Sequence, residues 1–259
     1  MRDDCTVVVM ACDSHADVAT AFGSMWQRFW PDCPFDTCLV MEERSDHIEG
    51  FDSIFCPGKG KDWCLRLANA LDRISSPYVM LFCDDYLLTQ KIDTDKVLMR
   101  LKQAQQHDVL NLRLSTTFLC YLVPYGDSGL MEYPKSAPYC IATQPGFWNR
   151  ESLHKLAAAC GSAWDLERRG SVLVRQDPHP ILSAPTREFP FVDSVRRGLW
   201  YPPAIRICAK NGVILDTSYR HAQSVARRLS IAIKDKVFNI SPTFFSRLQN
   251  VLSGVAVRR

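Results

Sequence analysis

Two adjacent carboxylates directly follow a strongly apolar segment of this chain. Asp84 and Asp85 close the run of residues 77–83, which reads Pro-Tyr-Val-Met-Leu-Phe-Cys. Charge beside a buried strand is costly unless a cation, a hydrogen-bonding partner or a proton offsets it. In α/β sheets, ligands bind at the carboxyl ends of the strands. Asp84 and Asp85, followed by Tyr86, therefore predict the floor of a ligand site. One such site would hold a divalent metal ion beneath a phosphate group of the ligand.

Other acidic residues stand at the ends of two further apolar runs. Asp13 follows the run at 6–11, and Glu42 follows the run at 37–41. Each alone is typical of a solvated loop. Because carboxyl ends of parallel strands share one sheet edge, together they predict acceptors for a nucleobase or a ribose.

A short basic loop, Gly58-Lys-Gly-Lys61, precedes a predicted helix. Such a loop at a helix N-terminus can hold a diphosphate, and the alternative is an ordinary turn. The chain lacks G-x-x-x-x-G-K-[ST], and no G-x-G-x-x-G follows the first apolar run, which argues against P-loop NTPases and dinucleotide oxidoreductases.

The second half of the chain offers a candidate general base. Asp165 has capping-box spacing from Ser162, so a structural role is open for it. Glu167 has no such role, and a carboxylate near a bound hydroxyl can act as a general base. A plain surface helix is the alternative reading for both carboxylates.

The segment Thr143-Gln-Pro-Gly-Phe-Trp148 places polar side chains before aromatic ones. Thr143, Gln144 and Trp148 therefore suit a platform for a sugar, because aromatic rings stack on the apolar faces of sugars. The alternative is that these aromatic residues belong to the hydrophobic core, which would give the same sequence pattern. The six histidines form no H-E-x-x-H pattern, and His221 is a candidate metal ligand late in the chain.

Strands and helices alternate through the first half of the chain, which predicts an α/β fold with a mainly parallel sheet. We expect a strand at 139–143, irregular structure at 177–203, a hairpin at 204–216 around Asn211-Gly212, and two amphipathic helices beyond His221. Predicted strands lie at 6–11, 37–41, 53–56, 77–83 and 108–114, and predicted helices at 15–30, from Asp62, and at 93–105, 149–160 and 162–169.

Length and composition favour one large domain with a small appendage. The 259 residues are 47% hydrophobic. The eleven cysteines include no C-x-x-C pair, and their odd number leaves at least one thiol unpaired. Several lie in apolar runs, where cysteine acts as a small hydrophobe. Reduced cysteines predict a cytoplasmic protein.

The charge is unevenly distributed along the chain. From Arg220 onward lie eight of the 31 basic residues and one of the 28 acidic residues, which leaves 23 basic and 27 acidic before it. A basic tail suits an anionic membrane surface, and a solvated helix face is the alternative. The body shows no basic patch with interleaved aromatics, so we expect no nucleic-acid partner.

The order of these motifs resembles the GT-A glycosyltransferases, and among them the family-2-like bacterial enzymes of capsule, lipopolysaccharide or exopolysaccharide synthesis. The resemblance is good over about residues 6–171 and thins out towards Asp216. It rests on residues 7–13, Lys61-Asp-Trp63, residues 77–88, residues 143–148, Trp164-Asp-Leu-Glu167 with Gly170-Ser171, and more weakly Arg197-Gly-Leu-Trp200.

This resemblance implies an inverting transferase whose domain spans residues 1–219, with a donor half of about 1–90, an acceptor half of 91–219 and a basic helical tail at 220–259. It implies a nucleotide-sugar donor such as a UDP- or dTDP-sugar, and a glycan or lipid-linked acceptor reached by a peripheral contact with the inner face of the membrane. The roles it implies are donor binding by Asp13, Glu42, Lys61, Asp84 and Asp85, proton abstraction by Glu167 with Asp165 as the alternative, and acceptor binding by Thr143, Gln144, Trp148 and Trp164.

The D-x-D motif that this resemblance implies is incomplete. If Asp84 is its first residue, Tyr86 occupies the third position; if Asp85 is its third residue, Cys83 occupies the first. Two alternatives are therefore open: an Mn²⁺ or Mg²⁺ ion held by Asp85 with His221, or sugar transfer without a metal.

Two other functions remain open. A sugar-nucleotidyltransferase would need a glycine-rich loop after the first strand, where this chain reads Ala11-Cys-Asp-Ser-His-Ala16. A non-catalytic nucleotide-sugar-binding subunit of a synthase complex agrees with the incomplete D-x-D motif.

Overall fold

The computed structural model describes residues 3–115 and 121–224, and the tail helices predicted beyond them lie outside that range. The strands are β1 Cys5–Met10, β2 Asp36–Val40, β3 Ser53–Phe55, β4 Tyr78–Cys83, β5 Tyr86–Leu88, β6 Asn111–Arg113, β7 Val123–Pro124, β8 Met131–Glu132, β9 Gly146–Asn149, β10 Ile181–Ser183, β11 Phe191–Asp193, β12 Val195–Arg196 and β13 Leu199–Trp200. The helices are α1 Ala16–Phe29, α2 Trp63–Leu71, α3 Thr94–Gln106, α4 Arg150–Ala159, α5 Ala163–Leu173 and α6 Pro202–Lys210.

Nine strands form one central sheet in the order β3-β2-β1-β4-β9-β6-β10-β8-β7. The first four are parallel. Strand β9 then runs antiparallel to both β4 and β6, and β10 is parallel to β6. The predicted α/β class, a large sheet flanked by helices, is confirmed, and its parallel character is strongest in the N-terminal half.

The core occupies both faces of this sheet, because successive side chains of a strand point to opposite sides. Val7 and Val9 of β1 pack in the cluster that contains α1. Val8 and Met10 pack in the cluster that contains α2 and α4. A continuous apolar run is therefore what a strand covered on both faces requires.

Side-chain caps begin four of the helices as the sequence predicts or permits. Asp62, Asp93, Asn149 and Ser162 each accept a hydrogen bond from the backbone N–H three residues later. Such caps satisfy donors that the first helical turn leaves free. They fix where α2, α3, α4 and α5 start.

The strand predicted at 139–143 is wrong. This segment is a loop, and Tyr139 has a left-handed backbone with φ of 54°. The strand that follows is β9, which begins at Gly146. A Cβ at Gly146 would lie 2.7 Å from the carbonyl oxygen of Leu112, so only glycine permits this close approach of β9 to β6.

The hairpin predicted at 204–216 is also wrong. Two prolines in the first turn favour a helix, and α6 runs there until Gly212, at φ of 78°, reverses the chain. The nearby hairpin joins β12 and β13 instead. Its turn residues Arg197 and Gly198 both have positive φ, of 54° and 76°, as a type I′ turn requires.

Five of the described cysteines, Cys5, Cys64, Cys140, Cys160 and Cys208, are buried free thiols packed among apolar side chains. Within the two described ranges, no helix is both long and apolar enough to cross a membrane.

Candidate functional site

The carboxyl ends of β1 and β4 lie side by side at one edge of the sheet. Met10 is paired with Cys83, and the backbone N–H of Asp84 donates to the carbonyl of Met10 at 3.1 Å. The segment after β1, with Asp13, therefore meets the segment after β4, with Asp84 and Asp85. This is the edge at which the sequence predicts the site.

Asp84 is buried and lies against a histidine. Nδ1 of His15 lies 3.2 Å from Oδ2 of Asp84, which is 5% exposed. Burial raises the pKa of Asp84, while the hydrogen bond to His15 opposes that rise. The same hydrogen bond raises the pKa of His15. This contact therefore ties His15 to Asp84 at the base of the site.

Asp85 is half-buried beside this pair. Burial, followed by the charges of Asp84 and Asp193, raises the pKa of Asp85 to about 8. Its carboxyl group is thus largely protonated at pH 7. The backbone carbonyl of Asp85 accepts a hydrogen bond from the N–H of Ser194 at 2.7 Å, which ties β11 and β12 to the site.

Tyr86 serves the fold at the third position of the motif. It begins β5, which pairs with β11, and its ring packs on Phe191 with centroids 4.6 Å apart. An aromatic side chain here therefore closes the small β5–β11 sheet.

Asp13 and Glu42 are turned towards each other's loops. The carboxylate of Asp13 accepts from the N–H groups of Glu42, Glu43 and Arg44 at 3.1 to 3.3 Å, and Oε2 of Glu42 accepts from the N–H of Asp13 at 3.1 Å. Although burial acts to raise the pKa of Asp13, these backbone donors hold it below its usual value. In this structure the two predicted donor ligands build the wall of the site.

The basic loop before α2 is closed by its own lysine. Nζ of Lys61 donates to the carbonyl of Pro57. Behind it, Arg66 of α2 is 5% exposed and donates to the carbonyl of Ala11 at the end of β1. Its Nε has no acceptor among the described residues. A buried guanidinium thus stands at the same edge as Asp84 and Asp85.

The two candidate bases on α5 have different environments. Asp165 is part of the helix cap, because Oδ2 accepts from the N–H of Gly161 at 3.1 Å and its own N–H donates to Ser162. Glu167 points back to the loop before β9. Its Oε1 accepts from both the N–H and the hydroxyl of Thr143, at 2.8 and 2.9 Å.

Glu167 faces the residues that flank Asp84 and Asp85. Burial raises the pKa of Glu167, and the Thr143 hydrogen bonds and the charge of Arg113 act against that rise. The charge of Glu167 in turn contributes to the raised pKa values of Cys83 and Tyr86, although burial and the charge of Asp85 contribute more. Thr143, which binds Glu167, also forms a hydrogen bond with the side chain of Cys83, so Glu167 lies near the end of β4 that precedes the two aspartates.

The two tryptophans predicted as acceptor ligands lie in opposite environments. Trp148 is fully buried between β4, β6 and the helices, so its prediction as a sugar platform is wrong. Strand alternation turns it into the core. Trp164 is 73% exposed and lies one helical turn before Glu167, on the same side of α5. Gln144 is half-buried next to Thr143.

An arginine near the end of the described range closes the site from the other side. The guanidinium of Arg220 binds both carboxylate oxygens of Asp17 at 2.9 Å, and it donates to the carbonyls of Ser14 at 2.7 Å and Gly198 at 3.2 Å. It thereby links the β12–β13 hairpin to the start of α1. Local sequence patterns could not predict this contact, because Arg220 and Asp17 are 203 positions apart.

The predicted metal ligands do not form a metal site in this structure. Across residues 3–115 and 121–224, no three or more His, Cys, Asp or Glu side chains are grouped so that they could hold an ion. His221 is exposed, and its Nδ1 lies 3.3 Å from the carbonyl of Thr217. Asp84 is already occupied by His15. As placed here, Asp85 and His221 form no ready-made Mn²⁺ or Mg²⁺ site, and metal use stays a prediction.

No family profile and no curated protein matches this chain. Among solved structures, the mannosyltransferase PcManGT from Pyrobaculum calidifontis, in complex with GDP-Man and Mn²⁺, is 12% identical with a TM-score of 0.51, over 76% of this chain and 59% of that one. A cytidylyltransferase from Leptospira borgpetersenii is 13% identical (TM-score 0.42, 86% of this chain and 98% of that one). TarS 1–349 from S. aureus, in complex with UDP-GlcNAc, is 14% identical (TM-score 0.41, 75% and 62%). The chain therefore shares the α/β fold of this mannosyltransferase and spans about three fifths of its length.

Proposed function

We propose that this protein is an inverting glycosyltransferase that moves a sugar from a nucleotide-sugar donor to a glycan or lipid-linked acceptor. The observation that carries the proposal is the placement of Glu167. A half-buried carboxylate of raised pKa, held by Thr143, lies near the acidic segment at the end of β4. Such a carboxylate suits a base, because an effective general base has a pKa shifted towards the working pH.

The proposed reaction is a single displacement. Glu167 accepts the proton of the acceptor hydroxyl as its oxygen attacks the anomeric carbon of the donor sugar. The bond between that carbon and the diphosphate breaks, and the nucleoside diphosphate leaves with the electron pair. One attack from the face opposite the leaving group inverts the anomeric configuration.

The donor lies, in this proposal, across the carboxyl ends of β1 and β4. Cationic groups suit its diphosphate, and Arg66 and Lys61 stand at that edge. The loops joined by Asp13 and Glu42 form the wall for the nucleoside. Trp164 offers an exposed aromatic face for the acceptor, one turn from the proposed base.

The location of the reaction is part of the same proposal. Beyond Arg220, which is held by Asp17 in the body, the basic tail that ends at residue 259 would rest on the anionic inner face of the cell membrane, where lipid-linked acceptors lie. The transferase domain of residues 1–219 would then work on the cytoplasmic side, in the synthesis of a cell-surface glycan.

Product analysis tests this function against its two rivals. The full chain is incubated with UDP-, GDP-, CDP- and dTDP-sugars, and products are separated by liquid chromatography and mass spectrometry. Release of a nucleoside diphosphate by the wild type, lost in Glu167→Gln, is the expected result. In a parallel incubation with a sugar 1-phosphate and a nucleoside triphosphate, formation of pyrophosphate and a nucleotide sugar would identify a nucleotidyltransferase. Binding without any turnover would identify a non-catalytic subunit.

A further inference from the structure

Arg113, on β6, is a buried cation that the proposed mechanism leaves unused. The residue is 0% exposed, and no carboxylate of the described residues lies within salt-bridge distance of it. A buried charge without a partner costs several kcal/mol. The protein must therefore hold this guanidinium by other contacts.

Those contacts come from one loop and one ring. Nη2 donates to the carbonyls of Tyr139, at 2.9 Å, and Cys140, while the guanidinium lies 4.0 Å from the ring centroid of Tyr133. Its Nε and Nη1 find no acceptor of hydrogen-bond geometry among the residues described. Tyr139 has the left-handed φ of 54°, which costs about 1 kcal/mol.

The same loop holds the proposed base. Three residues beyond Cys140, Thr143 binds the carboxylate of Glu167 through its N–H and its hydroxyl. Between them, the N–H of Ile141 donates to the hydroxyl of Ser171, which donates to the carbonyl of Glu167 at 2.6 Å. Arg113 therefore fixes one end of a short segment whose other end fixes Glu167.

We propose that Arg113 is a positioning residue that orients the loop carrying Thr143 and sets the basicity of Glu167 without pairing with it. This inference rests on the proposed function. Because the guanidinium is bound by carbonyls and a ring, it acts on Glu167 through space. A direct ion pair would stabilise the carboxylate further and weaken it as a base.

The other titratable groups around Glu167 leave this role to Arg113. Cys83 after β4, Tyr86 of β5 and Tyr139 of the loop all have raised pKa values, chiefly through burial. They are uncharged at neutral pH. Burial also lowers the pKa of Arg113, whereas the negative charge of Glu167 acts to raise it.

The test compares Arg113→Met and Arg113→Lys with the wild type. The pH dependence of kcat/KM for nucleoside diphosphate release is measured for each. In Arg113→Met the acid limb is expected to move to higher pH, so that more activity is lost at pH 6 than at pH 8. Arg113→Lys, which keeps the charge, is expected to restore the wild-type limb.

A readout independent of activity is the infrared carboxylate band of Glu167, isolated by difference from Glu167→Gln. Its titration is expected to shift upward in Arg113→Met. Arg100→Met is the matched control, because Arg100 is a buried arginine that pairs with Glu188 away from the site. This control is expected to lose stability and keep the wild-type pH profile.

The two proposals fail separately. If the wild type releases no nucleoside diphosphate from any donor, the proposed function fails, and the infrared titration still tests Arg113. If the enzyme is active, and Arg113→Met matches the wild type both in the pH dependence of kcat/KM and in the infrared titration of Glu167, the inference is overturned. If Arg113→Met does not fold, an acid limb displaced to higher pH in Arg113→Lys overturns it.

Discussion

Replacing Glu167 with glutamine separates the proposed base from its structural contacts. A glutamine oxygen can still accept from the N–H and hydroxyl of Thr143, at the 2.8 and 2.9 Å that Glu167 shows. Only the charge and the proton affinity are removed. Loss of a general base lowers the rate by roughly 10²–10⁴-fold, which corresponds to about 2.7–5.5 kcal/mol of transition-state stabilisation.

The same substitution has a predicted effect on stability. Burial raises the folded-state pKa of Glu167 above its ordinary value of 4.5. A carboxyl group with a raised folded pKa stabilises the protein below the unfolded pKa, and this contribution is lost as the pH rises through the folded pKa. Glutamine does not ionise. The melting temperature of Glu167→Gln relative to the wild type is therefore expected to rise between pH 4.5 and pH 8.

Two measurements on one pair of proteins check this. Single-turnover release of nucleoside diphosphate gives the rate, and calorimetry across pH 4.5–8 gives the melting temperatures. Glu151→Gln, at an exposed position in the first turn of α4, is the matched control and is expected to change neither. A near wild-type rate in Glu167→Gln would exclude Glu167 as the base, and a melting temperature that falls relative to the wild type as the pH rises would contradict its raised pKa.

Three further predictions follow from other contacts. Arg220→Met leaves the half-buried Asp17 carboxylate unpaired and is expected to cost roughly 1–3 kcal/mol; chemical denaturation measures this loss, and no coupling between Arg220→Met and Asp17→Asn in a double-mutant cycle would contradict it. Gly146→Ala forces a Cβ to 2.7 Å from the carbonyl of Leu112 and is expected to cost roughly 1–3 kcal/mol; an unchanged melting temperature would show that β9 and β6 can separate freely. Trp164→Ala removes an exposed ring and is expected to raise KM for the acceptor while the melting temperature stays unchanged; unchanged acceptor kinetics would exclude it as an acceptor ligand.

Much of the fold was predictable because its signals are local. Continuous apolar runs marked β1 and β4, and the side chains of Asp62, Asn149 and Ser162 marked three helix starts. The failures arose where two local signals competed. Asn211-Gly212 is a common hairpin turn, yet here it ends a helix that two prolines begin.

The site was predictable in outline, since parallel strands bring their carboxyl ends to one edge. Its supporting contacts were not, because they join distant parts of the chain. Arg113 contacts a loop 26 residues away, Arg220 contacts Asp17 across 203, and His15 meets Asp84 across 69. Nothing in the local sequence pattern signals these pairs. Trp148 shows the converse, because only the sheet register revealed that its side chain is buried.

The proposed role of Glu167 is that of the general base in a single displacement on a nucleotide sugar, at the edge of the sheet where β1 and β4 end. This role is tested by proton NMR while the wild-type enzyme cleaves a nucleotide-sugar donor. The anomeric proton signal identifies the first anomer of the released sugar before it mutarotates. We expect the wild type to release the nucleoside diphosphate together with a sugar of inverted anomeric configuration, and Glu167→Gln to form neither product. A first-formed sugar of retained configuration, or equal turnover by Glu167→Gln, would contradict it.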